Sequence, residues 1–207
     1  MNWSQPKVYA VKHKDEEIRA ASRSGGIFTA LSDLVLDDGG TVYGCVLTDD
    51  FHAVHVRTDS RDGRNQMRGS KYIQSKMGDT YKKVQEDLNA KREVLFSGTS
   101  CQVAGLKHFL GKDYDNLICI DIVCHGVPSP VVWDKYLRWQ EHKNHGKVVK
   151  VDFRNKKDFG WKDHVETIWF DNGKNVSSPI FKNLFYGHMA LRPVSYTHLR
   201  AHETDQY

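Results

Sequence analysis

The sequence has no C-x-x-C pair, no internal repeat and no low-complexity tract. No apolar run comes near the roughly 20 residues a membrane-spanning helix needs. The opening residues, MNWSQP, lack both the basic head and the apolar stretch of a secretory signal. The resulting expectation is a cytoplasmic protein. In that compartment its four cysteines, Cys45, Cys101, Cys119 and Cys124, would be reduced thiols, metal ligands or catalytic groups and not disulfides. Charge of one sign is not concentrated either. The net charge is +4, and the short basic groups at 61–68 and 147–150 read as solvated faces, which leaves no footprint for nucleic acid. What remains is an ordinary soluble composition, 39% hydrophobic and 27% charged over 207 residues, enough for one sizeable core.

The stretch 93–130 organises the chain. Two short apolar runs, 94–96 and 117–123, read as strands, and each ends at a cysteine beside a glycine. Between them Val103, Leu106, Phe109 and Leu110 recur at the spacing of one helical face. Strand, glycine turn, helix and strand make a right-handed βαβ unit with parallel strands. Ligands of open α/β sheets collect at the carboxyl ends of strands, where both Cys101 and Cys124 are expected. Cys101 would open a helix, whose positive dipole end suits a nucleophile or metal ligand. Two cysteines alone do not make a zinc or iron–sulfur site, for which four ligands are usual. Cys119 reads as packing from mid-strand and Cys45 as a small buried thiol.

Around this unit, 7–12 reads as a strand and 15–21 as a helical turn. Ile27, Phe28, Leu31, Leu34 and Val35 form a helical stripe with Ser24 as its N-cap and Gly39-Gly40 as its stop. Gly25 and Gly26 at that helix start serve either close packing or a phosphate held by backbone amides. The segment 41–47 pairs with 53–57. Arg68, Gly69, Ser70 and Lys71 form a basic connection that suits an anion or is simply a surface loop. Amphipathic helices are expected at 79–90 and 130–142, the second with Trp133, Tyr136, Leu137 and Trp139 on one face. Strands at 148–154, 165–170 and 176–180 follow, with Asn172-Gly173 as a hairpin turn. Phe159-Gly160-Trp161 reads as aromatic packing or as a lid over a planar ligand.

The fold class is therefore α/β, a mixed, largely parallel sheet with flanking helices and a β-rich C-terminal segment. The domain plan is a core at 1–146, its β-rich continuation at 147–193, and a separate stretch at 194–207.

Five stretches carry a family resemblance: SRSGGIFTAL (22–31), RGSKYIQS (68–75), LFSGTSCQVAGLKHFL (95–110), DIVCHGVPSPVVWDKYL (121–137) and FRNKKDFGW (153–161). Together they resemble the coenzyme F-420 hydrogenase/dehydrogenase beta-subunit family, in its bacterial branch, over roughly residues 7 to 193. The resemblance implies an oxidoreductase that passes electrons between a 4Fe-4S cluster and FAD and on to a soluble acceptor. It implies Cys101 and Cys124 as cluster ligands, and Ser24, Gly25, Gly26, Gly69, Ser70 and Lys71 at the flavin or its phosphates. The implied partners are a ferredoxin or other redox protein, with a deazaflavin or another small molecule as acceptor.

The resemblance breaks after Pro193. Relatives continue into a Cys-x-x-Cys pair that would complete four ligands, whereas VSYTHLRAHETDQY (194–207) resembles a translated sequencing adapter. The chain is read as truncated at both ends, with an incomplete ligand set. Two other readings fit the residues. One is a non-catalytic relative that docks a redox or glycan-biosynthesis partner. The other is an enzyme with Cys101 as nucleophile and His125 as base.

Overall fold

The computed structural model describes residues 7–160 and 164–192. Trp161 of the expected lid and the whole 194–207 tail lie outside the described residues.

A four-stranded sheet in the order β2-β1-β3-β4 forms the centre, made of β1 (Thr41–Leu47), β2 (Ala53–Thr58), β3 (Val94–Thr99) and β4 (Leu117–Ile122). β1 pairs antiparallel with β2 through the hairpin after Leu47, whereas β1–β3 and β3–β4 are parallel. The helix between β3 and β4, α5 (Ser100–Leu110), makes the expected crossover. Its start is fixed by a capping box, in which the Gln102 carboxamide accepts from the Thr99 amide at 3.0 Å. Gly111, with φ of 68°, ends it in the left-handed region.

The flanking helices follow from their apolar spacing. α4 (Thr80–Asn89) buries Val84 and Leu88 against Tyr43, Phe96 and Leu106. α2 (Ile27–Asp37) covers the other face with Val35, next to Val42, Val46 and Leu95. α6 (Pro130–Asn144) buries Trp133, Tyr136 and Leu137. These three join Ile73, Phe153, Ile168 and Phe181 in a third cluster shared with the C-terminal strands. Those strands, β5 (Val148–Asp152), β6 (Glu166–Phe170) and β7 (Asn175–Ser178), form an antiparallel sheet. The hairpin turn falls at Asn172-Gly173, where Gly173 has φ of 80°.

Several expectations are corrected. Residues 7–12 form no strand, and Val8, Tyr9 and Val11 stand exposed, because no strand among the described residues pairs with them. Ser24 does not cap α2: Gly26, at φ of 82°, is the N-cap and no side chain bonds there. The α2 stripe is rotated, since Ile27 and Leu34 are exposed while Thr29, Ser32 and Val35 are buried. Trp139 and Phe109 also lie at the surface, on the solvent edges of their helices.

Residues 61–67 are not merely a solvated charge group but a helix, α3 (Arg61–Met67). Its Arg64 is 2% exposed, ion-paired to Asp33 at 2.8 Å and donating to the Thr29 carbonyl at 2.9 Å. Three short helices, α1 (Glu16–Ala21), α7 (Lys156–Phe159) and α8 (Ile180–Tyr186), complete the described chain. No helix among the described residues is long and apolar enough to cross a membrane.

Candidate functional site

The carboxyl ends of β3 and β4 carry the two cysteines the sequence singled out. Cys101 sits in the first turn of α5, exposed, with its sulfur 3.2 Å from the Thr99 hydroxyl. Cys124 follows β4 by two residues and points its thiol toward the Gly126 carbonyl at 3.7 Å. Burial pushes the Cys124 thiol up, and the charges of Cys101 and Asp121 push it further, so the two sulfurs share one electrostatic neighbourhood. Asp121 itself accepts a hydrogen bond from Ser100 at 2.9 Å. Among the described residues no group of three or more His, Cys, Asp or Glu side chains is gathered to hold a metal ion.

Cys119 packs against the cluster that holds Tyr43, Phe96 and Leu106, and burial raises its thiol. Cys45 is likewise a partly buried thiol raised by burial. Both agree with a packing role. His125, the base of the Cys101 reading, has its Nε2 2.8 Å from His188 Nε2, and the two rings sit 4.8 Å apart.

The glycine-containing stretches meet away from the cysteines. The guanidinium of Arg23 reaches from the loop before α2 to the Arg154 carbonyl and the Asp152 carboxylate. Its Nε stands 3.0 Å from where a Cβ on Gly69 would be, so the 22–26 and 68–71 loops are in contact. Lys156 donates to the Ser22 carbonyl and closes the same junction from the β5–α7 side. Burial and then the charges of Arg23 and Arg154 pull the Lys156 ammonium down. Arg23, Lys71, Arg154 and Lys156 thus crowd one region in which Asp152 is the carboxylate paired to Arg23. A group of like charges held this close suits an anionic ligand.

Within that region the named residues do different things. Ser24 and Ser70 are exposed. Gly25 has no room for a side chain, because a Cβ would come within 2.6 Å of the Val11 carbonyl. Gly26 and Gly69 each need a positive φ, 82° and 81°. Lys71 is turned inward: its Nζ donates to the carbonyls of Gln66, Met67 and Arg68 at 3.0, 3.1 and 3.2 Å, capping the C-terminus of α3. Burial pulls its ammonium down to about 8, with the Arg23 charge adding to that and Cys45 opposing it. Arg23, Arg154 and Lys156 are the residues that sequence reasoning passed over. Arg154 ends the expected strand at 148–154, and both Arg154 and Lys156 lie inside FRNKKDFGW, a stretch the sequence marks only by its resemblance and its aromatic end.

Residues 91–185 match the family described as the C terminus of the coenzyme F420 hydrogenase/dehydrogenase beta subunit. That span holds both cysteines, Arg154 and Lys156, whereas the 22–26 and 68–71 loops precede it. Among solved structures, a chain of the xenon-derivatised F420-reducing NiFe hydrogenase complex from Methanosarcina barkeri is similar in fold, with a TM-score of 0.59 at 17% identity. The likeness covers 89% of this chain and 64% of that one, so the chain spans just under two thirds of that relative. A search of curated proteins found no match.

Proposed function

The chain belongs, through residues 91–185, to the coenzyme F420 hydrogenase/dehydrogenase beta-subunit family, and on that premise we propose that it is the flavin-binding part of an oxidoreductase. The observation that carries the proposal is the junction of Arg23, Arg154 and Lys156 with the two glycine loops. Its cations suit the pyrophosphate of FAD, and glycines allow a ligand close approach to backbone amides. Ser24, Gly25, Gly26, Gly69 and Ser70 would line the phosphate side. Lys71 would act from behind by holding the end of α3 against the Gly69 loop. A bound flavin would supply hydride and single-electron chemistry there. The protein's own residues would neutralise the phosphates and fix the loops.

The iron–sulfur part of the expectation fits less well. Cys101 and Cys124, at the ends of the paired strands β3 and β4, supply two thiolates where a 4Fe-4S cluster takes four.

A second reading, a non-catalytic relative that docks a redox protein such as a ferredoxin, is favoured by the edge beside those cysteines. β4 ends the sheet, and Ile122 and Val123 are 42% and 93% exposed.

Fluorescence titration of the full chain with FAD and with riboflavin separates the readings. Saturable FAD binding, weaker for riboflavin and weakened by Arg23→Ala, supports the flavoprotein. Absence of FAD binding together with capture of a reduced ferredoxin would move the assignment to the docking module.

A further inference from the structure

α6 carries a row of aromatic rings at every third residue, Trp133, Tyr136 and Trp139, which runs from the core to the surface. A spacing of three keeps these side chains on one side of the helix. Trp133 is fully buried, Tyr136 is 6% exposed and Trp139 is 44% exposed. Each ring centroid is 6.0 Å from the next, and the planes are inclined by only 30° and 32°. Indole and phenol rings give up a single electron more readily than other ring side chains. A row at this spacing therefore offers an oxidising equivalent a way inward. The ammonium of Lys143 lies 4.9 Å from the centroid of the Trp139 ring. It repels a positive charge created there, so the charge is better placed one ring further in.

An oxidised phenol is a strong acid and persists only if its proton has somewhere to go. At Tyr136 the hydrogen bonds run one way. Asn144 donates to the Gln140 carboxamide oxygen at 3.2 Å, and Gln140 donates to the Tyr136 hydroxyl at 2.8 Å. Tyr136 then donates to Oε1 of Glu166, which is 2% exposed. Burial pushes this carboxyl up to about 8, so at neutral pH it is largely the neutral acid. Such an acid accepts on Oε1 and carries its own proton on Oε2, which has no partner among the described residues. Glu166 also lines a small cleft beside α8, with His164 and Tyr186 among its walls. The space inside is about 10 Å³, room for about one water.

We propose that Tyr136 is a one-electron relay, oxidised through Trp139 to a neutral tyrosyl radical while Glu166 takes its proton. An outer-sphere one-electron oxidant at the surface takes an electron from Trp139 and is itself reduced. Trp139 regains that electron from Tyr136. The O–H bond of Tyr136 breaks and its proton bonds to Oε1 of Glu166, while the Oε2–H bond breaks and releases a proton to the cleft. Tyr136 ends one electron and one proton poorer, Glu166 keeps its proton count, and one proton reaches solvent. Reduction by one electron runs the same steps backward. The relay stands apart from the flavin reading, since no residue of the cationic junction takes part in it.

The test oxidises the full chain with tris(bipyridyl)ruthenium(III) generated by a laser flash. Transient absorption and freeze-quench EPR then follow the radicals. The expected result is a tyrosyl radical that forms at least twofold more slowly in heavy water. Tyr136→Phe, which separates this residue from the other tyrosines, should cut the tyrosyl yield at least fivefold and leave a tryptophan radical in its place. Glu166→Gln keeps an acceptor for the phenol but cannot pass a proton on, and should slow tyrosyl formation at least tenfold. Trp139→Phe, at an exposed position, should also slow it at least tenfold and decides the matter if the two buried substitutions do not fold. Tryptophan radicals alone in the wild type, or an unchanged tyrosyl yield in Tyr136→Phe, would overturn the relay. An unchanged rate in Glu166→Gln or in Trp139→Phe would overturn it as well.

Discussion

The carboxamide of Gln102 donates to the Ser75 hydroxyl at 2.8 Å and so ties the turn that carries Cys101 to the segment that carries Gly69 and Lys71. Gln102 also holds the Thr99 amide, and Ser75 lies 2.9 Å from Nδ1 of His55. His55 is buried and faces the Ser97 carbonyl with Nε2 at 3.1 Å, so Nε2 carries the hydrogen and Nδ1 accepts from Ser75. Burial lowers the imidazole pKa and keeps it neutral in this role. Two candidate regions, cysteine turn and glycine loop, are thus joined by side chains separated by 27 positions in sequence.

Removing that tie has a measurable cost. Ser75→Ala leaves a buried His55 nitrogen and the Gln102 amide without a partner, and should destabilise the chain by about 1–3 kcal/mol in urea unfolding. Gln102→Ala is expected to cost a similar amount, because the capping box is lost with it. The double substitution should cost less than the sum by about 0.5–1.5 kcal/mol. Strict additivity would show that the contact is energetically idle.

Glu166 gives the stability a pH dependence of known sign. Its folded pKa, about 8, lies above the usual 4.5 of a glutamate, so the folded state binds more protons than the unfolded state in between. The contribution is fully present below 4.5 and declines until the pH passes about 8. Glu166→Gln should remove this slope, and the variant should gain on the wild type across that window by up to a few kcal/mol. Unfolding curves of both proteins at pH 5 and pH 8.5 check it. Parallel curves would mean that Glu166 is ionised at neutral pH.

Lys71→Met tests the inward role of that lysine. Three carbonyls at the end of α3 lose their donor, so a loss of about 1–3 kcal/mol is expected with little direct effect on an anion in the junction. Because burial lowers the ammonium to about 8 from 10.5, the unfolded state binds more protons between those values, and wild-type stability should rise over that range. A large loss of FAD affinity with unchanged stability would instead place Lys71 on the ligand.

Anaerobic reconstitution with iron and sulfide should leave the chain well short of one 4Fe-4S cluster per molecule, since two neighbouring thiols do not satisfy four iron sites. Iron and acid-labile sulfide analysis reads this directly. A full complement, lost in Cys101→Ser, would mean that other residues or a second copy supply the remaining ligands.

Local pattern carried much of the fold. The apolar runs at 94–96 and 117–123, the helical spacing of Val103, Leu106, Phe109 and Leu110, and Asn172-Gly173 mark elements that depend on near neighbours, and each element formed there, with β4 stopping at Ile122 and Phe109 left at the surface. Patterns that need a distant partner misled. Residues 7–12 alternate like a strand but meet no strand among the described residues, and the α2 stripe turned so that Thr29 and Ser32 face inward, where Arg64 bonds the Thr29 carbonyl and the Ser32 hydroxyl. The helix at 61–67 was hidden because its charges look solvated until Arg64 is buried against Asp33.

By itself, then, the sequence determined the βαβ unit, the placing of both cysteines at neighbouring strand ends and the hairpin of the C-terminal sheet, because hydrophobic periodicity and turn chemistry act over a few residues. Only the tertiary structure decided which charges gather. Arg23 meets Asp152 and the Arg154 carbonyl across some 130 positions, and Glu166 loses its water through the packing of Tyr72, Phe153 and Phe181 around it. Charge crowding and desolvation depend on distances through space, and no local spacing of residues encodes them.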